Sequence, residues 1–221
     1  MHKEFLITED GSHTIYLPEL DEHYHSIHGA IQESQHIYIN QGLLQVQKTE
    51  INILEIGFGT GLNAYLTYCH SHNRIKVHYY SLEKFPLTVQ EYSKLNYPET
   101  LFPENQSVFE LMHQSDWDSE AAISKDFKLI KLRADLLSFK FDPLPQFDLV
   151  YYDAFAPVKQ PEMWTDELLE KVANSVKKDG IFVTYCAKGS VRRALIGFGF
   201  HMERIPGPIG KKEILRGKKS I

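Results

Sequence analysis

Four acidic side chains, each at or near the end of an apolar run, and one glycine-rich turn are the residues of this 221-residue chain best placed to do chemistry. The turn is Gly57-Phe58-Gly59-Thr60-Gly61, between the apolar run Ile51–Ile56 and the helical stretch that opens at Leu62-Asn63. Glycines let a backbone pass close to a ligand, and a helix N-terminus offers unpaired N–H groups. A dinucleotide fingerprint, GxGxxG, would need a third glycine at position 62, where Leu62 stands. What remains is E-x-G-x-G-x-G, beginning at Glu55; alone it is equally a tight strand-to-helix turn with no ligand. It does not stand alone. Glu83, 22 residues after Gly61 and followed by Lys84, ends the next apolar run, where a carboxylate can hold the ribose hydroxyls of an adenosine ligand. Asp135, followed by Leu136, lies just past the end of a third run and could face an adenine amino group. Asp153 follows the fourth, Phe147–Tyr152, at the carboxyl edge where open α/β sheets bind ligands. The alternative for Asp153 is a cap on the turn that follows.

Other groups carry weaker signals. Phe155 could stack on a base, an interaction worth roughly 1–3 kcal/mol, or pack into the core. Tyr24 and Tyr152 are candidate walls or hydrogen-bond donors. The histidines His23, His25, His28, His70, His72 and His78 match no tight ligand spacing and read as surface residues, so no metal is expected. Cys69 and Cys186 are far apart and each is set in an apolar stretch, which leaves neither a disulfide framework nor a CxxC metal site. No G-x-S-x-G elbow or Walker loop is present.

The elements that must position these residues follow from periodicity. Strand-like runs at Ile51–Ile56, Val77–Leu82, Phe127–Leu132, Phe147–Tyr152 and Ile181–Tyr185 alternate with helical stretches at Leu62–Ser71, Leu87–Asn96 and Trp164–Lys177. Such alternation predicts βαβ units and an α/β fold, Rossmann-like, with a mostly parallel sheet. Two final strands, about 200–205 and 212–216, flank Pro206-Gly207-Pro208-Ile209-Gly210 and predict an antiparallel end. Residues 1–45 differ: the runs Phe5–Thr8 and Thr14–Leu17 predict a β-hairpin, followed by a helix to about Asn40. The expected organisation is an N-terminal appendage, 1–45, packed on a domain of 46–221.

Composition excludes several classes. With 43% hydrophobic and 24% charged residues the chain is an ordinary globular one, without repeats or low-complexity linkers. No apolar run reaches the ~20 residues of a membrane helix and the start lacks a signal-peptide pattern, so a cytoplasmic protein is expected. The net charge of −5 hides an asymmetry: residues 1–170 hold 12 Lys+Arg and 26 Asp+Glu, whereas 171–221 hold 12 and 3. A basic end on an acidic chain fits nucleic-acid binding, or simply a solvated helix face.

Taken together, these motifs resemble the methyltransferase domain of the MnmC family, which acts on tRNA, and its stand-alone MnmD-type relatives. The likeness rests on Gly29–His36, on Leu54–Asn63, on Asp153-Ala154-Phe155-Ala156-Pro157 with Pro161–Trp164, on Thr184–Leu195 and on Pro206–Gly217. It implies the class I S-adenosylmethionine-dependent methyltransferase fold. It further implies methylation of the exocyclic amine of 5-aminomethyl-(2-thio)uridine at the tRNA wobble position. Bifunctional members add an FAD-dependent oxidase; the resemblance here extends only to the methylating half. The cofactor-binding set so implied is Glu55, Gly57, Phe58, Gly59, Thr60, Gly61, Asn63, Glu83, Lys84, Asp135, Leu136 and Asp153, with Asp153 also the catalytic base. Tyr24 and Phe155 would meet the base. Lys188, Arg192, Arg193, Lys211, Lys212 and Arg216, with Lys218 and Lys219, would meet phosphates of the anticodon stem-loop of a tRNA partner, each steepening the salt dependence by about 0.9 in log–log slope. A monomer is expected. Open alternatives are a methyltransferase for a small-molecule or protein amine, an aminopropyltransferase, and a non-catalytic S-adenosylmethionine-binding module.

Overall fold

The apolar runs become the centre of one sheet. The structure, a computed structural model, describes residues 2–220. Its strands are β1 (Glu4–Ile7), β2 (His13–Leu17), β3 (Glu22–His23), β4 (Glu50–Ile56), β5 (Lys76–Glu83), β6 (Ser119–Ser124), β7 (Phe127–Arg133), β8 (Phe147–Tyr152), β9 (Val176–Thr184), β10 (Phe200–Pro206) and β11 (Glu213–Lys219). The helices are α1 (Ala30–Ser34, continued by a wider turn over Gln35–Asn40), α2 (Leu62–Ser71), α3 (Val89–Tyr92), α4 (Tyr97–Leu101), α5 (Gln106–Gln114), α6 (Asp166–Asn174) and α7 (Gly189–Gly197). Strands β1–β3 form a small antiparallel sheet; the remaining eight lie in the order β10-β11-β9-β8-β4-β5-β7-β6.

In the large sheet β7, β5, β4, β8 and β9 run parallel, whereas β6, β11 and β10 pair antiparallel at the edges. In β4 every residue from Ile53 to Ile56 is buried, as expected of a strand covered on both faces. From β4 the chain first builds outward through β5, then returns to place β8 on the other side. The carboxyl end of β4 is therefore the point where strand order reverses, which is where such sheets open a crevice for ligands.

Each face has its own core. One gathers Tyr38, Leu62, Tyr65, Tyr79 and Phe109 around α1, α2 and α5. The other gathers Leu54, Val150, Leu169, Val172 and Leu195 around α6 and α7. Helix α6 begins where Thr165 Oγ1 accepts the Leu168 N–H at 3.3 Å. It is shorter than its periodicity suggests: Val176 already pairs with Phe147 of β8. Lys177–Gly180 then bulge from the ladder, with Asp179 at φ +63, rather than ending a helix. The stretch 87–96 likewise yields only α3, and α5 and the polar edge strand β6 were not legible as elements.

At the opposite, amino edge of the sheet, Asp148 clamps three segments. It is 3% exposed and lies 2.6 Å from Lys48 Nζ, 2.8 Å from Lys177 Nζ and 2.8 Å from the Asn52 N–H. Burial pushes its carboxyl up, but these donors outweigh burial and hold it below the usual carboxylate range. Its contribution to stability is therefore present at neutral pH and lost as pH falls through the acid range. Asp148→Ala leaves two ammoniums facing each other and an unpaired N–H; we expect a loss of about 2 kcal/mol, read as a lower melting temperature at pH 7 with a smaller difference at pH 3. Among the described residues, no helix is long and apolar enough to cross a membrane.

Candidate active site

Strand order lays the chemistry-bearing residues out along the carboxyl edge. Asp135 follows β7, Glu83 ends β5, the glycine turn follows β4, Asp153 follows β8 and Tyr185 follows β9. All of them line one cavity of about 640 Å³, within the roughly 300–1,000 Å³ of small-ligand pockets. The N-terminal segment supplies its roof through Tyr24, His25, Ser26 and Glu33.

The glycine turn is built for close approach. Gly57 and Gly59 have φ of +94 and +50, conformations that side chains resist. A Cβ on Gly57 would stand 3.0 Å from the Asp153 carbonyl oxygen, and one on Gly59 3.2 Å from Tyr24 Cδ1. The turn is held from both sides. Glu83 accepts the Gly59 N–H at 3.0 Å and the Phe85 N–H at 2.7 Å. His25, buried, sits 2.6 Å from Thr60 Oγ1, while His113 meets the Thr60 carbonyl at 3.1 Å. Burial pushes His25 down to about 4, so at neutral pH this contact is made by an uncharged imidazole. His25 is thus a structural partner of the turn and not the surface histidine that its sequence neighbourhood suggested.

Asp153 is the focus of the other half. Tyr38 donates its hydroxyl to Oδ1 at 2.6 Å and Asn63 its amide to Oδ2 at 2.8 Å. Burial pushes the carboxyl up; the Tyr38 and Asn63 hydrogen bonds pull it back, and the charges of Glu33 and Lys211 add opposing effects, with the outcome about 7. A carboxylate so placed is oriented, partly desolvated and matched to neutral pH as a proton acceptor. Tyr38 and Glu33 escaped sequence reasoning because both sit on a helix whose spacing signals only a buried face.

Several expected positions are corrected. Glu55 does not line the cavity. It is fully buried beneath the turn, accepts the Ser81 hydroxyl at 2.6 Å, and burial pushes its carboxyl up from the usual value. Gly61 is likewise packed behind the turn, against His113 and Phe58. Tyr152 is buried, gives its hydroxyl to the Met163 carbonyl and does not line the cavity. Tyr24 and Phe155 do line it, edge to face with centroids 5.2 Å apart. Phe58, Thr60, Asn63, Lys84 and Leu136 line it as well, with Lys84 paired to Asp135 at 2.8 Å.

The basic C-terminal region divides. Lys188, Arg193 and Lys212 are exposed and Arg192 is half-buried. Arg216 is committed to Glu203 at 2.8 Å and to Gln41 at 2.8 Å. Lys219 is buried, donating to the Phe198 and Ala173 carbonyls, and Lys218 pairs with Asp179. Lys211 turns inward, into the cavity. Among the described residues no cluster of three or more His, Cys, Asp or Glu side chains is arranged to hold a metal.

Comparison with known proteins adds to this geometry. A family model described as S-adenosyl-L-methionine-dependent methyltransferase matches residues 106–220. The chain is 33% identical over 216 residues to the tRNA 5-methylaminomethyl-2-thiouridine biosynthesis bifunctional protein MnmC of Leptospira borgpetersenii serovar Hardjo-bovis (strain JB197), covering 90% of this chain and 32% of that protein. The protein of the same name from Pseudomonas putida (strain GB-1) is 29% identical over 220 residues, covering 90% and 32%. The chain thus spans about a third of the length of the curated relatives it matches. Among solved structures, MnmC2 from Aquifex aeolicus superposes with a TM-score of 0.82 at 27% identity, over 100% of this chain and 71% of that one. Spermidine synthase from Thermotoga maritima shares the fold, with a TM-score of 0.59 at 13% identity over 100% of this chain and 72% of that one.

Proposed function

This chain belongs to the S-adenosyl-L-methionine-dependent methyltransferases, and from that premise we propose that it methylates the exocyclic amine of 5-aminomethyl-(2-thio)uridine at the wobble position of tRNA. The observation that carries the reading is Asp153: an oriented, half-buried carboxylate brought to about 7, in the same cavity as the glycine turn. The relatives named for tRNA 5-methylaminomethyl-2-thiouridine biosynthesis support the choice of substrate.

The residues fit the cofactor. Gly57–Thr60 leave open backbone, Glu83 offers a carboxylate and Asp135 with Leu136 closes the far end, so these would hold S-adenosylmethionine. When bound, it supplies an electrophilic methyl group on a sulfonium. The chain's own contribution is to the amine. An alkylammonium has a pKa of about 10.4 and lacks a lone pair, so it must lose a proton before it can attack. Asp153 takes that proton, and Tyr38 and Asn63 fix the carboxylate that receives it. Tyr24 and Phe155 provide walls for the base. The exposed Lys188, Arg193 and Lys212, with Arg192, stand near cavity-lining Tyr185 and Lys211 in the chain and suit the phosphates of an anticodon stem-loop. A wobble base lies in a loop, so it can be splayed into the cavity at modest cost. In this reading residues 1–45 act as a roof on the domain of 46–221, and a monomer works on tRNA in the cytoplasm.

The test is transfer of radiolabelled methyl from S-adenosylmethionine to bulk tRNA from cells lacking this protein, followed by nucleoside analysis. Label is expected in 5-methylaminomethyl-(2-thio)uridine. Label absent from tRNA, with the cofactor still bound in calorimetry, would turn the assignment to a small-molecule amine.

A further inference from the structure

Of the basic residues in the C-terminal region, Lys211 is the one that lines the cavity. It stands in the turn between β10 and β11, and its Nζ lies 2.7 Å from Glu33 Oε2 and 5.1 Å from the centroid of the Tyr185 ring. Lysine, carboxylate and ring all line the cavity that contains Asp153. Both partners are fixed. The Glu33 side chain is 10% exposed and its other oxygen accepts the Ser26 N–H at 3.0 Å. Tyr185 donates its hydroxyl to the Ala154 carbonyl at 2.8 Å and packs its ring near Trp164.

A carboxylate beside an aromatic face is a general solution for binding an alkylammonium, combining ion pairing with cation–π attraction. We propose that Glu33 and the Tyr185 ring form the ammonium-receiving subsite for the substrate, and that in the free protein the chain's own Lys211 occupies it. The inference rests on the amine-substrate reading above and gives that amine its place of entry.

Charge balance supports the assignment. An aminomethyl group arrives protonated at neutral pH, and bringing an ion into a partly buried cavity without a counter-charge costs several kcal/mol. Asp153 serves poorly as the receiving group, since its two oxygens already accept Tyr38 and Asn63 and its task is to take a proton. Glu33 supplies the second carboxylate, and of the charges felt by Asp153 that of Glu33 is the largest. If the substrate ammonium replaces Lys211, one cation leaves as another enters and no bond is made or broken. Lys211 has a flexible stem, and its neighbour Lys212 is already exposed. A phosphate at that rim would draw Lys211 outward, so a polyanionic substrate opens the subsite that a free amine must contest with a tethered competitor.

The experiment titrates benzylammonium, a ring bearing an aminomethyl group, into the full chain at pH 7.5 by calorimetry. Wild type, Lys211→Met and the double variant Glu33→Gln/Lys211→Met are compared, with benzyl alcohol as the uncharged control. We expect Lys211→Met to bind benzylammonium at least tenfold more tightly than wild type. The double variant should lose that gain, and benzyl alcohol should show none. If Lys211→Met does not fold, Lys211→Gln takes its place. Equal affinity in wild type and the single variant, or a gain that survives loss of Glu33, overturns the proposal. Because the readout needs no RNA, failure of methyl transfer to tRNA would count against the proposed function, and failure here against the subsite alone.

Discussion

Asp153→Asn should lower methyl transfer at pH 7 by about 10²–10³-fold, in line with loss of a positioned base, while the affinity for S-adenosylmethionine stays within a small factor of wild type. The shape is kept: Tyr38 can still donate to the side-chain oxygen, and Asn63, whose own Oδ1 is buried without a partner, can turn to accept the new amide. What disappears is the proton acceptor. The variant can use only amine that is already neutral, about one molecule in 2,500 at pH 7 for a pKa near 10.4. The two proteins therefore differ in pH dependence as well as in rate. Wild-type activity should rise with pH to a plateau with a midpoint near 7, the value to which burial pushes Asp153. The variant should keep rising about tenfold per pH unit beyond 8, as the free amine population grows. Unchanged turnover, or a variant that keeps the wild-type midpoint, would remove Asp153 from the role of base.

The same substitution carries a stability signature with a definite sign. A carboxyl whose folded value is raised binds its proton more tightly in the native state. Its contribution is favourable at low pH and is lost as pH rises from the unfolded value near 4 through about 7. At pH 8 the wild type bears a cost on the order of a few kcal/mol for an ionised, partly desolvated Asp153, which asparagine does not bear. Asp153→Asn should consequently melt at a higher temperature than wild type at pH 8, with the gap closing toward pH 4. A less active but more stable protein is the pattern expected where a group is kept for chemistry against its own solvation preference.

How much of this was legible beforehand depends on the range over which each signal acts. Strands β4, β5, β7 and β8 are legible nearly to the residue because their largely buried positions concentrate apolar and aromatic residues in short runs. The acids at or just past their ends could then be placed on one edge by topology alone, and the structure does bring Glu83, Asp135 and Asp153 to one cavity. Edges carry a fainter signature: β6, Ser-Glu-Ala-Ala-Ile-Ser, is half solvated and has little apolar pattern. The boundary of α6 is not written in the sequence, because Val176 continues the helical period and yet pairs with β8. Site residues that act through long-range contacts left no local mark. Glu33 and His25 line the cavity and Tyr38 supports Asp153 from behind it, across separations of 115 residues between Tyr38 and Asp153 and 35 between His25 and Thr60. Charge was misleading in the opposite way. A count of lysines and arginines cannot tell Lys219, buried against backbone carbonyls, from Lys188, which is free to meet a phosphate.

Glu83→Ala should produce the converse of Asp153→Asn: cofactor affinity weakened by about 10²-fold, with turnover at saturating cofactor close to wild type. Glu83 sits at the carboxyl end of β5, and each of its oxygens already accepts one backbone N–H, from Gly59 and from Phe85. Those bonds fix the carboxylate toward the cavity and leave lone pairs for two ribose hydroxyls. Hydrogen bonds to a charged partner are worth about 1.5–3 kcal/mol each, so losing two costs roughly 3 kcal/mol or more, or two decades at about 1.4 kcal/mol per decade. The Gly59 N–H also loses its partner, which loosens the turn and adds to the loss. None of this touches Asp153, which is held by Tyr38 and Asn63 on the far side of the glycine turn. An interaction made equally in ground and transition states changes KM and not kcat, so separate calorimetric and steady-state measurements should place the effect in Kd and KM. A cofactor affinity within threefold of wild type would mean that the ribose is held elsewhere. A fall in kcat with unchanged affinity would mean that Glu83 acts through the turn on the reacting groups, joining two halves of the site that the hydrogen-bond pattern keeps apart.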